Sequence, residues 1–437
     1  MWKATSISLT SILALAACSG PSVRKDTSPP KFSYPVVWTE LGPRTQILVR
    51  AVTPDLSCPS LQVDGKSQAM FVRAAATREF PITTCEAEIS AGSKTAKIGS
   101  KNLSLPTIPK KILVIGDTGC RIKVGEHGNG LQACNDPEAW PFEKIAHAAR
   151  KWNPDLIIHV GDYLYRENPC PSNFPGCSGS PSGDQWAAWN ADFFTPAQEL
   201  LPSAPWIFVR GNHESCARSG AGWFRLLDPR PLPEKCAERT DPYPIYSGAL
   251  NLAVFDSTSA EDKTVDEEQV KYFTRQMNQV QKFQPPVKWL LTHKPFWVGM
   301  QDKGKAPKIF SQTLLAAEIN STLTQSLQLL LAGHVHFFSA SVIEPGPVQI
   351  IAGNGGTQLL DVPKGSLDQF NMKSRLIKKN ITLHQFGFLT LEAMTVPGQW
   401  QVIPHDVQGE PLKICVLKNT TLTCEDPKEN KAPGTSG

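Results

Sequence analysis

Five times in this chain an apolar run stops at a tight turn that carries a good metal ligand. The segments are Gly116-Asp117-Thr118-Gly119, Gly161-Asp162-Tyr163-Leu164-Tyr165, Gly211-Asn212-His213-Glu214, Leu290-Leu291-Thr292-His293 and Gly333-His334-Val335-His336. The runs before them include Ile112-Leu113-Val114-Ile115, Leu156-Ile157-Ile158-His159-Val160 and Trp206-Ile207-Phe208-Val209. Short, continuous apolar runs of this kind read as strands buried on both faces. A glycine at the end of such a strand lets the backbone turn sharply, so ligands from several strands converge on one point. One Gly-Asp is an ordinary turn and one His-x-His is common; the constraint lies in the ordered set.

Between these strands the spacing of Phe142, Ile145, Ala146 and Ala149 predicts a helix over 141–151, with further helices over 185–201 and 266–283. Additional strands are expected over 250–255, 289–291, 327–331, 347–352, 386–391 and 399–402. Strands alternating with helices, followed by strands in succession, predict a layered α/β architecture. Upstream, 35–108 holds short apolar runs separated by turn residues such as Asp64-Gly65 and Ala91-Gly92, which reads as a small β-rich domain serving as spacer or cap. The expected organisation is 1–18 signal segment, 19–34 tether, 35–108 β-rich domain, 109–406 catalytic domain and 407–437 C-terminal extension and tail.

The five segments together resemble the calcineurin-like metallophosphoesterase superfamily. Most of that superfamily place His two residues after the first Asp, where this chain has Gly119. The purple acid phosphatase branch has Gly there and takes a ligand from a Tyr three residues after the second-motif Asp, here Tyr165. The resemblance covers about 110–406 and implies a four-layer α/β/β/α sandwich. It implies that Asp117, Tyr165 and His336 bind a first metal, Fe(III), and that Asn212, His293 and His334 bind a divalent second ion (Zn, Fe or Mn). Asp162 would bridge the two. His213 would bind phosphate oxygens or protonate the leaving group. The implied reaction is hydrolysis of small phosphate monoesters, with phosphodiesters as the alternative; a non-catalytic surface-binding lipoprotein on the same scaffold is the alternative from another class.

Three cations adjoin the motifs. Arg121 and Arg166 either fork onto phosphate or pair with acids. Lys294 is either a proton donor or phosphate contact, or a solvated loop residue. His127, His147, His159, His384 and His405 belong to no motif and read as structural or surface residues, and Asp256, which ends another strand, is assigned no ligand role.

Residues 7–17 form an apolar stretch too short to span a bilayer but suited to a signal-peptide core. It ends in Leu15-Ala16-Ala17-Cys18, which resembles a bacterial lipobox; Cys18 would carry the lipid and anchor the protein, on the outer-membrane or periplasmic side. An ordinary signal peptide cut nearby is the other reading. Of the eleven cysteines, the ten after Cys18 are even in number, as in a disulfide framework of an exported chain. The simplest pairing joins neighbours: Cys58–Cys85, Cys120–Cys134, Cys170–Cys177, Cys216–Cys236 and Cys415–Cys424. The formal charge of +4 comes without a clustered basic run, so no nucleic-acid partner is expected.

Overall fold

The structure is a computed structural model and describes residues 1, 33–123, 130–300, 308–361, 367–373 and 375–427. Cys18, the lipobox and His127 lie outside the described residues. From Tyr34 onward the chain forms one compact unit, built on two large sheets.

The centre of the eleven-stranded sheet is the parallel set Lys111–Ile115, Leu156–His159 and Trp206–Phe208. The eight-stranded sheet is centred on the parallel strands Leu250–Phe255, Trp289–Thr292, Leu329–Ala332 and Val348–Ala352. The two pack face to face. Val114, Ile158 and Ile207 from the first share one apolar core with Leu252, Leu291, Leu331 and Ile350 from the second. Residues of opposite parity face helices: Phe255, Leu290 and Leu330 pack with Phe273 and Met277 of helix Glu267–Gln281. On the other side, Phe193 contacts both Trp206 and Phe208 and stacks on Phe142 of helix Phe142–Lys151. Because both faces of each sheet are covered, the central strands read as unbroken apolar runs. The result is the expected α/β/β/α sandwich with an N-terminal β-rich region.

That N-terminal region is continuous with the fold. Val36–Leu41 pairs in parallel with Trp206–Phe208, and Ile47–Thr53, Thr83–Ile89 and Phe71–Ala74 extend the same sheet to its edge. Only Leu61–Val63, Lys66–Gln68, Ala96–Ile98 and Lys101–Leu103 form a separate small sheet. At the opposite edge, the C-terminal extension adds the hairpin Ile414–Lys418 and Thr421–Glu425.

The helix expected over 185–201 is only one α-turn, Trp186–Trp189, which passes into the wider π-helical turn Asn190–Phe194. The Thr195 amide bonds back to the Asn190 carbonyl at 2.8 Å, and Pro196 has no amide hydrogen with which to continue a regular ladder. Among the described residues, no helix is long and apolar enough to cross a membrane.

Five disulfides form: Cys58–Cys85, Cys120–Cys134, Cys170–Cys177, Cys216–Cys236 and Cys415–Cys424. Cys120–Cys134 and Cys170–Cys177 pack together with Ile122 and Phe174 into a small cluster of their own. Such a set of bridges fits an oxidising compartment, extracellular or periplasmic.

Candidate metal centre

All seven of the expected ligand residues meet at the ends of the central strands, in two clusters. The first surrounds the Tyr165 hydroxyl, which lies 3.0 Å from Asp117 Oδ1, 2.8 Å from Asp162 Oδ2 and 2.9 Å from His336 Nε2. The second surrounds Asn212 Oδ1, which lies 3.0 Å from His293 Nε2 and 2.7 Å from His334 Nδ1. Asp162 joins them, because the oxygen that meets Tyr165 is also 3.1 Å from His293 Nε2. Asp162, His293 and His334 each offer one atom within 4.8 Å of the others, as ligands of a single ion would.

The backbone bends hard to bring them there. Asp117, Asp162 and His334 have φ of 54°, 60° and 70°, a left-handed conformation that costs an L-residue about 1–3 kcal/mol and concentrates at functional sites. The glycines explain themselves by contact. A Cβ on Gly211 would sit 2.1 Å from Asp162 Oδ1, one on Gly333 2.4 Å from Asp117 Oδ2, and one on Gly161 2.5 Å from His293 Nδ1. A Cβ on Gly119 would meet the Tyr163 carbonyl at 2.6 Å, the Tyr165 amide at 2.8 Å and Asp192 Oδ2 at 2.9 Å, so the backbone of the Tyr163–Tyr165 loop leaves no room for a side chain there.

Charge is concentrated and dry. Burial pushes the Asp117 carboxyl well above the usual carboxylate range, and neighbouring Asp162 adds to this against the pull of His293. Asp162 is held well below that range: burial opposes this, but His293 and His213 outweigh it. His293 rises to about 9, since Asp162 overcomes the effect of burial. Burial, reinforced by Asp117 and Asp162, raises the Tyr165 phenol well above its ordinary value. Ionising it beside two carboxylates requires added positive charge. Hard carboxylate and phenol oxygens with imidazole nitrogens form a donor set suited to Fe, Zn or Mn.

His213 flanks the first cluster. Its ring lies 3.7 Å, centroid to centroid, from that of Tyr165, its amide donates to Asp162 Oδ1 at 2.8 Å, and its Nδ1 lies 2.7 Å from Glu167 Oε1. Glu167 in turn pairs with Arg218. Glu214, the last residue of its motif, is fully buried and accepts hydrogen bonds from the amides of Gly211, Asp162 and Tyr163 at 2.9–3.0 Å. It ties the second and third motif loops together. Burial, with Asp162 nearby, raises its carboxyl to about 7.

The three cations part ways. Arg166 is a correction to the phosphate-fork reading: it is buried, bonds Asp192 Oδ1 and Ser180 Oγ at 2.5 Å each, and lies over the Trp140 ring. Asp192 comes from the π-turn and also accepts from the amides of Cys120, Tyr165 and Arg166. Lys294 is neither a solvated loop residue nor turned to the clusters; it is buried, with Nζ 2.8 Å from Asp262 Oδ2. Arg121 has no acid partner among the described residues, and its Nε is buried without a hydrogen bond. Glu167, Asp192, Arg218 and Asp262 had no signal in the sequence, since each reaches the site from a loop or irregular turn without periodicity.

The remaining histidines stay out of the clusters. His159 is buried against Thr118 Oγ1 and stacks on Tyr163. His405 is buried between Thr390 and Gly409, while His147 and His384 lie at the surface. Asp256 pairs with Arg210.

The family model for calcineurin-like phosphoesterases matches residues 110–338 of the chain, which span all five motifs. The chain belongs to the calcineurin-like phosphoesterase family. No curated protein sequence matches this phosphoesterase. Among solved structures it is similar to the purple acid phosphatase PPD1 of yellow lupin (Lupinus luteus) seeds, at 15% identity and a TM-score of 0.53, covering 86% of this chain and 72% of that one. It is equally similar to PhoD, at 11% identity and a TM-score of 0.53, covering 92% of this chain and 95% of that one. At such identities the likeness concerns the fold. The family makes the protein a metal-dependent phosphoesterase.

Proposed function

We propose that this phosphoesterase hydrolyses small phosphate monoesters at a dinuclear centre, with Asp117, Tyr165 and His336 holding Fe(III), Asn212, His293 and His334 holding a divalent ion (Zn, Fe or Mn), and Asp162 shared between them. The observation that carries the reading is the position of Asp162 Oδ2, in reach of both the Tyr165 hydroxyl and His293 Nε2. Each cluster is a closed set of oxygen and nitrogen donors, and one carboxylate belongs to both.

Two bound metal ions would supply Lewis acidity toward the phosphoryl oxygens and make water nucleophilic at neutral pH. The chain's own residues do the rest. Glu167 lies on the Nδ1 side of His213, while Nε2 is 3.7 Å from Asp162 Oδ2 and 2.7 Å from Arg218 Nη2. In its protonated form His213 would donate to a phosphoryl oxygen or to the departing ester oxygen. Arg121, without an acid partner among the described residues, is the cation available to a second phosphate oxygen. Glu214 ties the loops that carry Asp162 and Asn212 together through the amides of Asp162, Tyr163 and Gly211.

The test is metal analysis and an absorption spectrum of the oxidised protein, with turnover of p-nitrophenyl phosphate and of its bis ester. About two metals per chain, a visible band and preference for the monoester are expected. Preference for the bis ester would replace the substrate class and leave the centre; a metal-replete protein without the band would remove the tyrosinate–Fe(III) assignment. Absence of both metal and turnover would leave a binding protein on this scaffold.

The five disulfides also support export, and we propose that Cys18 is the lipidated residue. Mass spectrometry of the purified N-terminal peptide should find the lipid on Cys18; an unmodified terminus nearby would remove the anchor.

A further inference from the structure

Each of the three clustered histidines turns one ring nitrogen inward and satisfies the other outside. For His293 the outer partner is the Val160 carbonyl, 2.8 Å from Nδ1, and for His336 it is the Gln358 carbonyl, 2.9 Å from Nδ1. Both present Nε2. His334 is reversed: Nδ1 faces Asn212 Oδ1, and Nε2 lies 3.2 Å from Asp262 Oδ2. Its outer partner is therefore a carboxylate. That same oxygen is 2.8 Å from Lys294 Nζ, which also donates to the Ala260 carbonyl.

Asp262 lies in the loop between strand Leu250–Phe255 and helix Glu267–Gln281, apart from the five motifs. A carbonyl fixed by the fold and a carboxylate on a loop differ in an important respect. The carboxylate is the stronger acceptor, and drawing the Nε2 proton toward itself raises the electron density at Nδ1. It also fixes the ring and the tautomer of a residue whose own backbone is left-handed, at φ 70°.

We propose that Asp262 is a positioning residue that holds His334 as the Nε2–H tautomer with Nδ1 turned to the second cluster, and that Lys294 acts through Asp262 and does not contact substrate. The inference rests on the dinuclear reading for its consequence, stronger retention of the ion at the second cluster. Orientation of the ring by Asp262 stands apart from that reading.

Zinc-substituted protein with ¹⁵N-labelled histidine keeps the two separable. The wild type should give a downfield Nε2–H proton that is assigned by its loss in His334→Ala, absent in Asp262→Ala and partly restored in Asp262→Asn, whose amide oxygen still accepts. Zinc affinity of the second site should fall about 10- to 100-fold in Asp262→Ala, the range for removing such an outer partner. Lys294→Met should weaken zinc while leaving KM for p-nitrophenyl phosphate within about twofold, below the change expected for loss of a charged phosphate contact. A proton unchanged in Asp262→Ala, or a KM that climbs tenfold in Lys294→Met with zinc retained, would overturn the inference and leave the dinuclear reading standing. An Asp262-dependent proton in a wild type that binds no zinc would do the reverse.

Discussion

The Tyr165 hydroxyl lies 2.8 Å from the carboxylate of Asp162, three residues earlier in the same loop. One short loop thus supplies both the carboxylate that lies between the two clusters and the phenol of the first cluster. Tyr165→Phe keeps the ring, its packing on His213 and its burial, and deletes only the hydroxyl that touches Asp117, Asp162 and His336. On the proposed dinuclear reading, the variant is expected to fold, to lack the visible band and to bind less metal at the first cluster, with metal at the second cluster retained. Absorption and metal analysis check this; a band that survives would remove Tyr165 from the centre.

Arg121 and Arg166 look alike in sequence and should behave oppositely. Arg166→Met leaves Asp192 buried without its cation, held only by backbone amides, which costs about 3–5 kcal/mol and should appear as a lower urea midpoint. Arg121→Met should leave the midpoint nearly unchanged and raise KM for the phosphate ester. Equal loss of stability in the two variants would contradict the division.

Gly211→Ala places a methyl 2.1 Å from Asp162 Oδ1 and 2.3 Å from its amide nitrogen. The amide belongs to the backbone and cannot swing aside. Overpacking of this kind costs about 1–3 kcal/mol, and here the displaced group is the carboxylate proposed to hold both ions. Loss of metal at both sites, with a lowered melting temperature, is the expected result of calorimetry and metal analysis. Full metal content would show that the loop has slack.

Acid should weaken the fold partly through His405. Burial lowers its pKa, and the Gly409 carbonyl only partly offsets this. The folded state therefore favours neutral imidazole, while the unfolded chain takes up a proton near pH 6.5. Stability from this group is present above about pH 6.5 and is lost as pH falls below it. His405→Gln should shrink the difference between urea midpoints at pH 7.5 and pH 5. An unchanged difference would exclude His405 as a contributor.

The parts of the molecule legible from sequence were those whose cause is local. A buried parallel strand must be apolar throughout, and a ligand at its end needs a glycine for room, so Gly116-Asp117 or Gly333-His334 carries its own explanation. The structure puts numbers on that room at Gly211 and Gly333. What did not show was set by distant partners. Asp262 and Asp192 look like any loop acid until the chain folds His334 and Arg166 against them. The 185–201 segment reads as a helix by spacing, yet it widens before Pro196 into a π-turn from which Asp192 reaches the amides of Cys120 and Tyr165. The attachment of 35–108 to the main sheet depends on Val36–Leu41 meeting Trp206–Phe208, a pairing that no local pattern announces.

That pairing governs how the protein can be assembled. Glu40 sits in register with Trp206, so the first strand among the described residues to emerge on synthesis lacks its parallel neighbour until two of the five motifs and the strand after them have followed it out. Late closure of so distant a contact slows folding and leaves strand edges open to other chains in the meantime. The chain from residue 110 onward, cut free of the strands before it, would carry that open edge permanently. Such a fragment should self-associate through Trp206–Phe208, and the N-terminal strands are, in this sense, a built-in guard against aggregation.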